Sequence, residues 1–262
     1  MLKEEPHGNM WLLSDAEQLM QRLGENMTNE ELLARIEKLE KDNARLHAVQ
    51  EIQNLMAHYE LLQNQKNMEL HPMDFAMDRD DVSVQIADGK PLIGPEGVKS
   101  LFCGLYNIPE EEYRGIMLIH YLTTPAIEVA EDGQTARGLW WSPGIETIKR
   151  EKGGEPDAAW CFGAYANDFI LENGVWKIWH MRWFLTCKCP YTEGWADQRY
   201  FYPTKVPHAR HANADKSYNP YTKDYIQEAI PMRPRPYKTW DDERWYMTQE
   251  DRSKMDFLKT RK

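Results

Sequence analysis

Residues 118–185 are punctuated twice by glycine turns, at Asp132-Gly133 and at Asn173-Gly174. Asp-Gly and Asn-Gly supply the left-handed backbone that a tight hairpin demands. On either side of each turn lie long stretches rich in β-branched and aromatic residues. Segments 118–130, 135–149, 159–171 and 175–185 therefore read as four consecutive strands, the middle pair joined through "EKGGEPD". Strands linked in order by short turns form an antiparallel meander.

The residues ahead of the meander read as helical. Thr28 followed by Glu31 is a capping box. Apolar residues then recur at Leu32, Leu33, Ile36, Leu39, Leu46, Val49, Ile52, Leu55, Met56 and Tyr59, at helical spacing with charges on the other face. The first half is highly charged and coiled-coil-like, suited to packing on a partner subunit; the second half is expected to cover the sheet. Trp11 to Leu23 reads as an extra helix. Val82, Val84 and Ile86 alternate with polar residues as a strand, and a short helix opens at Pro95 and Gly97. A polar loop, "NIPEEEYRG", precedes the meander. The expected class is α+β, a curved antiparallel sheet wrapped around helices. Three regions follow: a helical extension over 1–45, a domain over 46–186, and a long irregular extension over 187–262, rich in Pro, Tyr and Arg, that wraps over its own domain or a neighbour's.

A net charge of -10 argues against nucleic acid and anionic membrane surfaces as partners. No apolar run reaches the roughly 20 residues of a membrane span. The first residues carry acids and no apolar core of a secretion signal, so a cytoplasmic location is expected. Cys103, Cys161, Cys187 and Cys189 then read as free thiols. There is no phosphate loop, dinucleotide fingerprint, nucleophile elbow or zinc motif, so neither a cofactor nor a metal is expected.

Four pieces in this order resemble the SnoaL-like group of the NTF2-like superfamily: "VQEIQNLMAHYELLQN", "DVSVQIADGKPLIGPEGVKSLF", "HYLTTPAIEVAEDGQTARGLWW" and "AYANDFILENGVWKIWHMRW". The resemblance spans about Ala48 to Phe184. It implies a cone of curved sheet closed by helices, with an apolar pocket in its open end. Many members are small cofactor-independent enzymes; others only bind ligands or scaffold partners, so fold alone does not decide function. Dehydratases of the bile acid 7α-dehydratase and scytalone dehydratase type are the nearest likeness. Their pocket tyrosine falls on Tyr59 and their histidine on His120. The acid that follows their tyrosine falls on Asn64, and their Tyr-x-Asp falls on Tyr165-Ala166-Asn167, so both acids are replaced by Asn. Asp168 stands next to the second.

On this reading His120 moves a proton. Tyr59 and Asn64 hold the substrate oxygen, and Asn167 and Asp168 support them. His58 turns about 100° away from Tyr59 on the helix. Trp140 and Trp141 point to opposite sides of their strand, one toward the cavity. Strict alternation puts Trp176, Ile178, His180, Arg182 and Phe184 on one face of the last strand. Trp140, Trp141, Tyr165, His180 and Arg182 are thus the candidate substrate contacts. The expected activity is a cofactor-independent lyase acting on a hydrophobic aromatic or polycyclic small molecule, in a homo-oligomer, dimer or trimer. The alternatives are an isomerase or cyclase on a similar substrate and a non-catalytic small-molecule-binding protein.

Overall fold

The computed structural model describes residues 28–64, 67–87, 89–149, 154–196, 231 and 233–240. The stretch around Trp11 to Leu23 and most of the 187–262 extension lie outside them. The chain divides into two compact units, Met1–Leu46 and His47–Lys262.

A single helix, α1, runs over Asn29–Asn64. Its start is the capping box: the Thr28 amide donates to Glu31 Oε2 at 2.7 Å, and the Glu31 amide donates to Thr28 Oγ1 at 3.2 Å. Within the larger unit, Ala48, Ile52, Met56 and Tyr59 line one face of α1 and are buried in the core. A 3₁₀ helix, Met68–Asp74, follows.

The sheet has seven strands: β1 Ser83–Ile86, β2 Leu92–Ile93, β3 Met117–His120, β4 Ala126–Val129, β5 Thr135–Lys149, β6 Pro156–Glu172 and β7 Val175–Pro190. Its order is β2-β1-β7-β6-β5-β3, with β4 also on β5. The hairpins β5–β6–β7 are the meander expected from the turns, and Gly133 and Gly174 both have positive φ. β1 lies parallel to β7 and every other pair is antiparallel. Mixed helix and curved open sheet give the larger unit the α+β class expected from the sequence. Helical turns over Gly94–Lys99, Ser100–Leu105 and Glu110–Tyr113 connect β2 to β3. No helix among the described residues is long and apolar enough to cross a membrane.

Three irregularities depart from the simple alternation. The expected strand 118–130 is two strands, because His120 pairs with Gly144 and Ala126 with Leu139, which leaves one extra residue on this side. Pro125, with no amide hydrogen to give the ladder, sits in the gap. On β7, Asp168 pairs with His180 but Phe169 with Ile178, so Trp179 is an extra residue. Phe162 likewise pairs with Cys187 but Gly163 with Leu185, so Thr186 is a second. Each bulge reverses which face the following side chains take.

Candidate active site

An apolar cavity of about 350 Å³ opens among α1, the turns after β2, and the inner face of β3, β5, β6 and β7. Tyr59, Tyr106, Tyr113, Tyr165 and Trp183 give it an aromatic wall, and His120, Glu146, Lys149 and Lys188 are its chargeable groups.

Register explains how the charged groups meet. His120 pairs with Gly144 on β5, and Glu146 lies two residues further along the same face. Cys161 on β6 pairs with Lys188 on β7, and the bulge at Thr186 turns Lys188 onto the inner face beside Trp183. Gly144 leaves the space for this arrangement. A Cβ there would stand 2.8 Å from the Ile119 carbonyl oxygen and 3.2 Å from His120 Nδ1.

The result is a buried chain of three side chains. His120 Nε2 is 3.0 Å from Glu146 Oε1, and Lys188 Nζ donates to Glu146 Oε2. All three are less than a tenth exposed. Burial alone would raise the Glu146 carboxyl, but Lys188 and His120 outweigh it and hold it well below the usual carboxylate range. Glu146 is therefore an acceptor only. It fixes His120 with the proton on Nε2, leaving Nδ1 as the imidazole atom with a free lone pair.

A second polar group faces this chain. Glu60, directly after Tyr59, is buried; no group among the described residues meets its carboxylate oxygens at full hydrogen-bond geometry, and the Tyr165 phenol approaches them. Burial pushes its carboxyl up to about 7, with His120 and Tyr165 pulling the other way. The Tyr59 and Tyr165 rings meet edge to face at 5.8 Å. Both phenols are raised well above their ordinary value by burial, with Glu60 next, so both keep their protons. His71 packs 4.4 Å from Tyr59 and is pushed down to about 3 by burial and by His58, so it stays neutral at ordinary pH.

Raised above its unfolded value, the Glu60 carboxyl contributes fully to stability only below about 4.5. That contribution is lost as pH rises through about 7. The wild type is expected to lose on the order of 3 kcal/mol between about pH 5 and about pH 8 through this group. Glu60→Gln should lack that part of the loss. Urea denaturation of both proteins at the two pH values measures it, and parallel losses would dismiss the assignment.

His120, Tyr59 and Tyr165 thus meet at the cavity, while other candidates stand elsewhere. Asn64 closes α1, and its side chain lies outside the described residues. Asn167 is buried between sheet and helix: its Nδ2 donates to Met56 Sδ at 3.2 Å, and its Oδ1 accepts from the Arg182 amide. Trp140 faces inward but packs on Phe169 in the core, and Trp141 is exposed on the outer face. Asp168, His180 and Arg182 also lie on the outer face, because the bulge at Trp179 cancels the expected alternation. There Asp168 binds His180 Nδ1 at 3.0 Å and lies 3.7 Å from Arg137. Residues 237–240 cover this cluster. Tyr237 and Lys238 accept from the Glu131 and Asp132 amides, Arg137 sits 4.6 Å over the Tyr237 ring, and Trp240 packs on Trp179. Asp168 is consequently not the acid beside His120. Glu146 is, and the reading from sequence missed it together with Glu60 and Lys188.

His120, Glu146 and Cys161 also bring ligand atoms within 4.8 Å of one another. The set fits a cation poorly: the Lys188 ammonium already holds Glu146, and burial raises the Cys161 thiol far above its ordinary value.

The SnoaL-like domain family matches residues 44–182, more than half of the chain. The chain belongs to this family. No curated protein matches the sequence. Among solved structures, hexachlorocyclohexane dehydrochlorinase LinA-type3 from Novosphingobium barchaimii is 17% identical over 62% of this chain and 99% of its own, with a TM-score of 0.46. A provisionally named scytalone dehydratase from Novosphingobium aromaticivorans is 16% identical over 63% and 97%, with a TM-score of 0.46. A protein of unknown function from Mycobacterium tuberculosis is 22% identical over 55% and 75%, with a TM-score of 0.41. At these identities and TM-scores the likenesses say nothing of what this chain does. The SnoaL-like domain thus accounts for the cone, and the side chains in it must account for the chemistry.

Proposed function

We propose that this SnoaL-like protein is a cofactor-independent lyase that removes water or formaldehyde from a hydrophobic aromatic or polycyclic small molecule. The observation that carries the reading is the buried Lys188–Glu146–His120 chain ending at an aromatic-walled cavity. Eliminations need a base for one proton and a donor for the departing oxygen. His120, oriented by Glu146, takes the proton from the substrate. Its positive charge is then stabilised by the adjacent carboxylate. The protonated phenols of Tyr59 and Tyr165 donate to the oxygen on which negative charge develops. Glu60, with its carboxyl near 7, gains or loses a proton behind them at little cost. In a dehydration, a C–H bond breaks toward His120, a C=C bond forms, and the hydroxyl leaves as water with a proton from the phenol side. In the formaldehyde variant, His120 takes the hydroxymethyl O–H proton, the C–C bond breaks, and its electron pair stays on the carbon left behind and is protonated.

The test is mass spectrometry of purified protein incubated with hydroxylated steroids and diarylpropane diols, without added cofactor. A product lighter by water or by formaldehyde supports the lyase. A product of unchanged mass in ordinary water that takes up deuterium when the reaction is run in heavy water replaces it with an isomerase. A retained, unconverted ligand replaces it with a binding protein.

A further inference from the structure

We infer that the N-terminal half of α1 is a dimerisation element, and that its occupant is the same segment of a second copy of this chain, in parallel and in register. Leu32, Ile36, Leu39 and Leu46 are 42%, 49%, 59% and 70% exposed, so this apolar row is uncovered among the described residues. A row of that kind in water marks a surface awaiting a partner.

The spacing names the partner. Leu32, Leu39 and Leu46 recur every seven residues and occupy the d positions of a heptad; Asn29, Ile36 and Asn43 then occupy a. Leucine at d with isoleucine at a favours two strands in parallel. Asn43 sharpens this. In a parallel, in-register pair each a side chain faces its own copy, so the two Asn43 amides bond to each other. In an antiparallel pair a faces d, and Asn43 would face a leucine with nothing to bond. One asparagine at a is a known device for fixing register and strand number at some cost in stability.

The flanking charges agree. Arg35 falls at g and Glu40 at the following e. Parallel helices bring g of one strand beside the next e of the other, so Arg35 meets Glu40 of the second copy twice per dimer. Neither residue has an ion pair within the described residues of its own chain. The Lys38–Asp42 pair, at 2.9 Å, joins c to g within one helix and leaves Arg35 and Glu40 to the second copy.

The test uses the full-length chain. Light scattering after size exclusion should give a dimer mass for the wild type. Ile36→Lys/Leu39→Lys should shift it to monomer at the same concentration with its thermal transition above the larger unit unchanged. Arg35→Glu alone and Glu40→Arg alone should each weaken the dimer, and the double exchange Arg35→Glu/Glu40→Arg should restore it. Asn29→Cys should crosslink under mild oxidation, which only a parallel pair permits, while the wild type with its native thiols does not. A monomeric wild type, or a dimer indifferent to Ile36→Lys/Leu39→Lys, would overturn the inference. So would a double exchange that fails to restore association, or an Asn29→Cys protein that stays uncrosslinked.

Discussion

Replacing His120 by alanine is expected to lower kcat/KM by roughly 10²–10⁴-fold, the range that one positioned acid–base group contributes. Stability should change far less. The reason lies in the order of the buried chain. His120 is its end, so removing it leaves Glu146 still bound by Lys188 and strands no charge. The loss should therefore appear in turnover, with ligand affinity nearly intact, since the aromatic wall of Tyr106, Tyr113 and Trp183 is untouched. Steady-state kinetics and equilibrium binding on the same variant, with the substrate identified by mass, measure the two together. Turnover within about threefold of wild type would remove His120 from the mechanism.

Replacing Lys188 by methionine is expected to do the opposite. Glu146 would lose the partner that most lowers its carboxyl, and a buried carboxylate stripped of its cation costs about 3–5 kcal/mol. The pH dependence should also change sign. In the wild type the Glu146 carboxyl lies below its unfolded value, so its contribution holds above about 4.5 and fades only in strong acid. Without Lys188, burial is the leading influence left and raises it, so stability would fall as pH rises toward neutral. Adding Glu146→Gln to Lys188→Met should recover most of the loss, because no charge then remains to be buried. Chemical denaturation of both variants at about pH 5 and about pH 8 decides the matter. An equal loss at both pH values, unrelieved in the double variant, would mean that Lys188 matters only for packing.

Much of the cone was legible in the sequence because its signals are local. Asp132-Gly133 and Asn173-Gly174 specify hairpins whatever surrounds them, and the Thr28–Glu31 box specifies a helix start by itself. His120, Tyr59 and Tyr165 could be picked out because the resemblance named their positions. The acids could not be placed by the same route, since the positions that matched carry Asn64 and Asn167. Glu60 was visible as the residue after Tyr59, and its burial was the missing fact. Glu146 lies on Trp140's side of β5, but nothing local pairs it with His120 on β3; the faces of β7 were hidden for a stricter reason. Which face a strand residue takes depends on every bulge before it, and neither Trp179 nor Thr186 announces itself as an extra residue. Counting without Trp179 sends His180 and Arg182 inward; the two bulges cancel for Lys188, which was missed because the expected last strand ended at residue 185.

The extra residue at Thr186 has a consequence for how such a pocket can diverge. Deleting Thr186 would leave Lys188 opposite Cys161 and facing inward, whereas straightening the bulge at full length would set Thr186 opposite Phe162 and Cys187 opposite Cys161, sending Lys188 outward and giving Cys187 the inner place. That slip of one residue in the pairing would exchange an ammonium for a thiol beside Glu146 without altering any side chain in the sequence. The position of one bulge is then a more abrupt route to new chemistry than substitution, and relatives whose last strand takes up its extra residue beyond Lys188 should enclose a pocket of different polarity.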